Sequence, residues 1–305
     1  LYSSLLIENL LAEPQVFLDF VYPLFYVSFI PQVFHVSIHF LCIIKILNAG
    51  AENSQLPCRE HYVSEKVLQM KDYKKNPLWN ALVEVVKKLP DFEKHKQKVR
   101  DEILVRKPDI SAQELSEVMS IPLGEAMVIL DELRLTPREV EEELAKDYPK
   151  PKYRLVALGG TFSKLHYGHL MLLLIGIRSG ERVIVGVTTD DFARKLGKSY
   201  EIPPFEERVQ QLKAVLKERG WLERCEIIPL KDPYGVTVED PRIEALITSP
   251  FTHYRGIEIN KLREQRGFKP LDIIVCPLVV AKDGKPISST RIMRREITPR
   301  GEVLP

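Results

Sequence analysis

Cysteine is scarce in this chain, and so is net charge: 305 residues carry four cysteines and a formal charge of +2. Cys42, Cys58, Cys225 and Cys276 show no metal-ligand spacing, and four in this length do not make a secreted disulfide scaffold. Cys225 and Cys276 fall in or beside predicted strands and read as small core residues, which fits a reducing cytoplasm. With 44 basic and 42 acidic residues there is no global signal for a polyanion partner. No Ser-His-Asp constellation or reactive cysteine is evident, which argues against a covalent enzyme intermediate. No dedicated carboxylate cage is evident either, so no protein-held metal is expected. The basic region that opens a signal peptide is also missing.

What is present is concentrated in LVALGGTFSKLHYGHLMLLL, Leu155 to Leu174. Val156, Ala157 and Leu158 read as a strand buried on both faces. Gly159 and Gly160 let the backbone turn and approach a ligand closely. An apolar helix is expected to open near Gly168, and its unpaired N–H groups and dipole favour an anion there. His166 and His169, three apart, lie on one side of that helical start and would face one anion. Near the C-terminus, GKPISSTRIM (Gly284 to Met293) follows an apolar strand expected from Asp272 to Val280. Ser288, Ser289 and Thr290 suit a helix N-terminus, and Arg291 adds a planar cation able to fork onto phosphate oxygens.

Between these motifs the pattern alternates. Strands are predicted over Arg182–Thr188, Cys225–Leu230 and Ala245–Ser249, and helices over Pro204–Arg219 and Tyr254–Arg266. This predicts an α/β fold, a Rossmann-like doubly wound parallel sheet whose ligand sits beyond the carboxyl ends of the strands. Asp190 and Asp191 fall at such an end and read as helix-capping residues.

His166-Tyr167-Gly168-His169 resembles the signature of the HxGH nucleotidyltransferases, and GKPISSTRIM, Gly284 to Met293, looks like the ISSTxxR signature of the same superfamily. Five segments narrow the resemblance to the archaeal and eukaryotic type of phosphopantetheine adenylyltransferase: GGTFSKLHYGHL, KSYEIPPFEERVQQL from Lys198, KDPYG from Lys231, EINKLREQRG from Glu258 and AKDGKPISSTRI from Ala281. The resemblance implies adenylyl transfer from ATP to 4'-phosphopantetheine, giving dephospho-coenzyme A and pyrophosphate, with magnesium accompanying the ATP. It implies nucleotide contacts from Gly159, Gly160, Thr161, Phe162, His166, His169, Ser288, Ser289, Thr290 and Arg291. His169, His166 and Lys198 would be catalytic, and Thr161, Lys198 and Arg208 would meet the acceptor. Lys195 is the alternative to Lys198, and either Arg294 or Arg295 could supply a further cation after Arg291. For Arg208, the helix spacing favours a pair with Glu206 or Glu207 instead. Beside phosphates, a histidine is expected to shift towards its charged form. One departure stands out: the family shows Ser-x-Glu-Thr after the fourth strand, whereas Ser249-Pro250-Phe251-Thr252 lacks that carboxylate. The competing readings are another HxGH nucleotidyltransferase using CTP or a different phosphorylated acceptor, and a nucleotide-sensing DNA-binding regulator.

Three regions are expected: 1–57, 58–150 and the nucleotidyltransferase domain 151–305. The middle one is a small all-α domain. In it, Ser111 to Arg134 repeats Leu115, Val118 and Met119 at helical spacing, breaks at Ser120-Ile121-Pro122, and resumes with Ala126, Ile129, Leu130 and Leu133. That pattern predicts a helix-turn-helix. Glu125, Asp131 and Glu132 on its second helix oppose contact with DNA phosphates. An acidic helix is expected over Glu139–Asp147, and Tyr148-Pro149-Lys150-Pro151 reads as a linker. Phe20 to Ile44 holds no formal charge and is long enough to span a bilayer, although Pro23, Pro31, His35 and His39 weaken a membrane anchor. The chain begins at Leu1 and its first methionine is Met70, so translation from upstream of the true start is the favoured reading of residues 1–57.

Overall fold

In the computed structural model the described residues are Lys74, 77–148 and 150–305. The apolar stretch 20–44 lies outside them. Among the described residues no helix is long and apolar enough to cross a membrane.

The chain divides into two compact units, one comprising residues up to Phe92 with Ala112–Val128, the other Glu93–Ser111 with Ile129–Pro305. In the first lie α1 (Pro77–Val86), α3 (Ala112–Met119) and the start of α4 (Leu123–Leu133). The expected helix pair is present, and its turn has a physical cause. Ser120 takes a left-handed φ of 53°, the Ile121 N–H donates back to the Ser116 carbonyl at 3.1 Å, and the Ser116 hydroxyl donates to the Ile121 carbonyl at 2.6 Å. Pro122 follows where a helix could not continue.

The second unit carries α2 (Phe92–Lys98) from Glu93 on, a π-helical stretch Val99–Ile103, β1 (Arg134–Leu135) and α5 (Pro137–Leu144). Then come β2 (Tyr153–Gly160), α6 (Tyr167–Ser179), β3 (Gly180–Thr188), α7 (Asp190–Lys195), α8 (Phe205–Glu218) and β4 (Cys225–Leu230). It closes with β5 (Ala245–Thr248), α9 (His253–Gln265), β6 (Asp272–Val275), β7 (Leu278–Val279) and α10 (Ser289–Met293). Five strands form a parallel sheet in the order β4-β3-β2-β5-β6. This is the doubly wound α/β arrangement, with its reversal point between β2 and β5.

Alternation along the strands sorts the core into two faces. Val156, Leu158, Val183, Val185 and Ile247 join α6 and α8 in one cluster, while Ala157, Ile184 and Leu246 join Ile259 of α9 in the other. Helix α6 lies close to the sheet because Gly176 has no side chain; a Cβ there would come within 2.8 Å of Leu158 Cδ2.

Two expectations need correction. The single strand expected over Asp272–Val280 is broken: β6 stays in the main sheet, and β7 leaves it to pair in parallel with β1. Pro277, which has no N–H for a ladder, sits at the break. The acidic helix begins two residues earlier than expected, at Pro137. Thr136 caps it, with Glu139 reaching back to the Thr136 N–H at 2.8 Å to complete a capping box.

Candidate active site

The site is built where β2 ends and α6 begins. After Gly160 the chain turns through Phe162, which has a left-handed φ of 50° and is fully buried. Gly160 leaves room for the Phe162 ring, from which a Cβ would lie 3.1 Å. That ring packs against His169, with centroids 5.0 Å apart, and His169 stacks on His166 at 3.9 Å. His166 caps α6, its Nδ1 accepting from the Gly168 N–H at 3.1 Å. The carbonyl of Lys164 accepts from the His169 imidazole, whose Nδ1 is buried without a partner. The two histidines are therefore brought together, as their spacing implies, but stacked face to face.

With no phosphate beside them, burial sets the charge state of the two rings. Burial holds His166 well below its ordinary value, and the neighbouring His169 adds to this. Burial pushes His169 down to about 4; the Lys164 carbonyl opposes the shift, and the positive charge of Lys198 reinforces it. Without a bound anion burial favours the neutral form of both rings, outweighing the Lys164 carbonyl at His169. Unfolded histidine takes up a proton near pH ~6.5, but His169 in the fold does so only near 4. Acidification from about pH 6.5 towards 4 therefore protonates the unfolded chain preferentially, and stability is lost across that window. Thermal unfolding followed between pH 7 and 4 checks this: the wild type is expected to fall more steeply than His169→Asn.

The second wall comes from α10. Ser288 caps it, its hydroxyl oxygen accepting from the Arg291 N–H at 3.3 Å, and the Ser289 hydroxyl donates to the Lys164 carbonyl at 3.2 Å. Ser288 to Thr290 thus stand beside the loop that leads into the histidines. Arg291 is engaged within its own segment. Its guanidinium reaches Asp283 Oδ2 at 2.5 Å, Glu296 Oε2 at 3.0 Å and the Pro286 carbonyl at 3.1 Å. Two carboxylates already neutralise it.

Of the two lysine alternatives, Lys198 is the one whose charge acts on His169. Of the two arginine alternatives, Arg294 reaches towards this region, its Nη2 lying 3.5 Å from Ser199 Oγ. Tyr200 completes the loop, its hydroxyl 2.7 Å from that of the buried Ser163.

Arg208 is the largest departure. Neither Glu206 nor Glu207 holds it, and its guanidinium is not free for an acceptor. The side chain is fully buried. Nε donates to the Pro203 carbonyl at 2.7 Å, Nη1 to the Thr161 carbonyl at 2.8 Å and Thr188 Oγ1 at 3.2 Å, and Nη2 to Asp190 Oδ1 at 2.8 Å. One cation thereby ties together the chain leaving β2, the end of β3 and the entry to α8. Capping of α7 falls to Thr189, whose hydroxyl accepts from the Phe192 N–H, leaving Asp190 for Arg208. Partial burial raises the Asp190 carboxyl, but the Arg208 guanidinium outweighs it and holds the group below the usual carboxylate range.

The cysteines of this unit are not nucleophiles. Burial raises Cys225 to about 11 and Cys276 to about 12, so both are thiols at neutral pH. After β5, Ser249 and Thr252 close their own turn, the Thr252 hydroxyl oxygen accepting from the Ser249 N–H at 3.1 Å. Phe251 stands 40% exposed where the family pattern has a carboxylate.

The family described as Cytidylyltransferase-like matches residues 157–295. The phosphopantetheine adenylyltransferase of Methanopyrus kandleri is 46% identical over 155 residues, covering 51% of this chain and 94% of that protein. The phosphopantetheine adenylyltransferase of Methanothermobacter thermautotrophicus is 45% identical over 155 residues, covering 51% and 92%. Among solved structures, a protein of unknown function from Archaeoglobus fulgidus matches with a TM-score of 0.37 and 34% identity over 40% of this chain and 87% of its own. The identity over nearly the full length of these archaeal relatives, on a chain that folds its two motifs into facing walls, places it in the phosphopantetheine adenylyltransferase family.

Proposed function

We propose that this chain transfers the adenylyl group of ATP to 4'-phosphopantetheine, giving dephospho-coenzyme A and pyrophosphate. The observation that carries this reading is the meeting of the two motif walls: Ser289 bonds the Lys164 carbonyl, and the same carbonyl accepts from His169. A triphosphate between them would meet hydroxyls and N–H groups from one side and imidazoles from the other.

In this reaction a phosphate oxygen of the acceptor attacks the α-phosphorus in line. A new P–O bond forms as the bond to the bridging oxygen breaks, and pyrophosphate leaves with that electron pair. The acceptor is already anionic, so no strong base is required, and catalysis rests on positioning and on stabilising charge. Gly159, Gly160 and Phe162 shape the turn under the phosphates, and the Thr161 N–H and hydroxyl face the α-phosphate. His166 and His169 stabilise the leaving pyrophosphate, taking a proton more readily once an anion is beside them. Lys198 faces either the acceptor phosphate or the α-phosphate. Magnesium is assigned to the substrate, carried on ATP oxygens and water.

Pyrophosphate release measured over a panel of nucleotides and phosphorylated acceptors tests the substrate assignment. Turnover is expected with ATP and phosphopantetheine. No turnover with that pair, beside clear turnover with CTP or another acceptor, would overturn it.

A further inference from the structure

Strand β1 and helix α5 lie before residue 157, where the family match begins, yet they are built into the catalytic unit. β1 pairs in parallel with β7, and the Val280 N–H donates to the Leu135 carbonyl at 2.9 Å. Val140 of α5 is fully buried in the same cluster as Tyr167, Leu173 and Ile177 of α6, with Leu135 and Leu144 packed against it. Two side chains then tie α5 to the ends of α6. Arg178 in the last turn donates to the Glu143 carboxylate at 2.5 Å and to the Glu143 carbonyl at 2.6 Å. Tyr167 in the first turn donates its hydroxyl to the Glu141 carboxylate.

Tyr167 stands directly after His166 and two residues before His169. Its N–H donates to the Pro299 carbonyl at 3.2 Å, and the His169 N–H donates to the His166 carbonyl at 2.8 Å, so the three residues move as one turn. Behind that turn lies a cavity of about 490 Å³, lined by Glu141, Leu165, His166, Tyr167, Arg219 and Arg300 among others. Glu141 and Tyr167 both line that cavity, so their bond joins α5 to the turn across its wall, beside the core packing of Tyr167 and its N–H bond to Pro299. We propose that Glu141 is a positioning residue for the two-histidine site, setting His166 and His169 through the Tyr167 hydroxyl. The effect on turnover rests on the adenylyl-transfer reading; the effect on the imidazoles does not.

Glu141 is exposed, so its replacement leaves the fold intact. Glu141→Ala and Tyr167→Phe are each expected to lower kcat by about five- to tenfold, with KM for ATP moving less than about twofold. The double variant should be no slower than either single, because both remove the same bond. Glu141→Gln keeps an acceptor oxygen and should restore most of the rate. Glu142→Ala is the control, since Glu142 pairs with Arg138 of its own helix at 2.9 Å. In the protein without substrate, the ring ¹⁵N resonances of His166 and His169 should shift in Glu141→Ala and stay put in Glu142→Ala. If the wild type does not turn over, the adenylyl-transfer reading fails and the imidazole spectra still judge the proposal. Unperturbed imidazole resonances in Glu141→Ala overturn it, as does a kcat equal to that of Glu142→Ala in an active enzyme.

Discussion

His169→Ala is expected to lower kcat by about 100-fold or more while KM for ATP changes much less. The ring is held by Phe162 on one side and His166 on the other, so it needs no rearrangement when charge builds on the departing pyrophosphate. Its Nδ1 is buried and has no protein partner. A neutral ring in the resting site binds ground-state triphosphate weakly, and its contribution grows as the leaving group accumulates charge. That difference between ground state and transition state is what separates an effect on kcat from one on KM. Steady-state kinetics with ATP varied at saturating phosphopantetheine measure the split. An unchanged kcat would remove His169 from the mechanism.

Arg208→Ala is expected to destabilise the catalytic unit by about 3 kcal/mol or more. The guanidinium satisfies the Pro203 and Thr161 carbonyls, the Thr188 hydroxyl and Asp190 at once, and alanine offers none of them a partner. Arg208→Lys keeps the charge but not the planar fork, so it should recover only part of the loss. Because Thr161 is held through its carbonyl, a lysine variant that folds should also turn over more slowly. Denaturant unfolding of the full chain checks the first claim; a loss below about 1 kcal/mol would show that water or neighbouring groups replace the guanidinium.

Local pattern made much of this fold legible. The Val156-Ala157-Leu158 strand and the helix after His166 lie where the residues imply, and Cys225–Leu230 matches its strand from end to end; the turn expected at Gly159-Gly160 comes later, because both glycines still pair with β3 and the chain turns only at Phe162. Each rests on hydrophobic run, turn chemistry or spacing, all of which are local. The misreadings are tertiary. Spacing offers Arg208 two glutamates one and two residues away, but the loop carbonyls that claim it come from Thr161 and Pro203, and only the folded sheet brings these to one point. Arg291 is claimed by Asp283, eight residues back, and Glu296, five ahead. β1 and β7 are two residues each, too short for any alternation to register, so the strand preceding the catalytic core leaves no periodic trace. The Glu141–Tyr167 bond spans 26 positions and carries no motif at all.

The most direct test of the account follows the label of ATP carrying ³²P at the α-position through a single turnover with phosphopantetheine. All transferred label is expected in dephospho-coenzyme A, equimolar with released pyrophosphate, with none on the protein at any time. Label trapped on the protein, or released as AMP with the acceptor unchanged, would contradict direct transfer at this site.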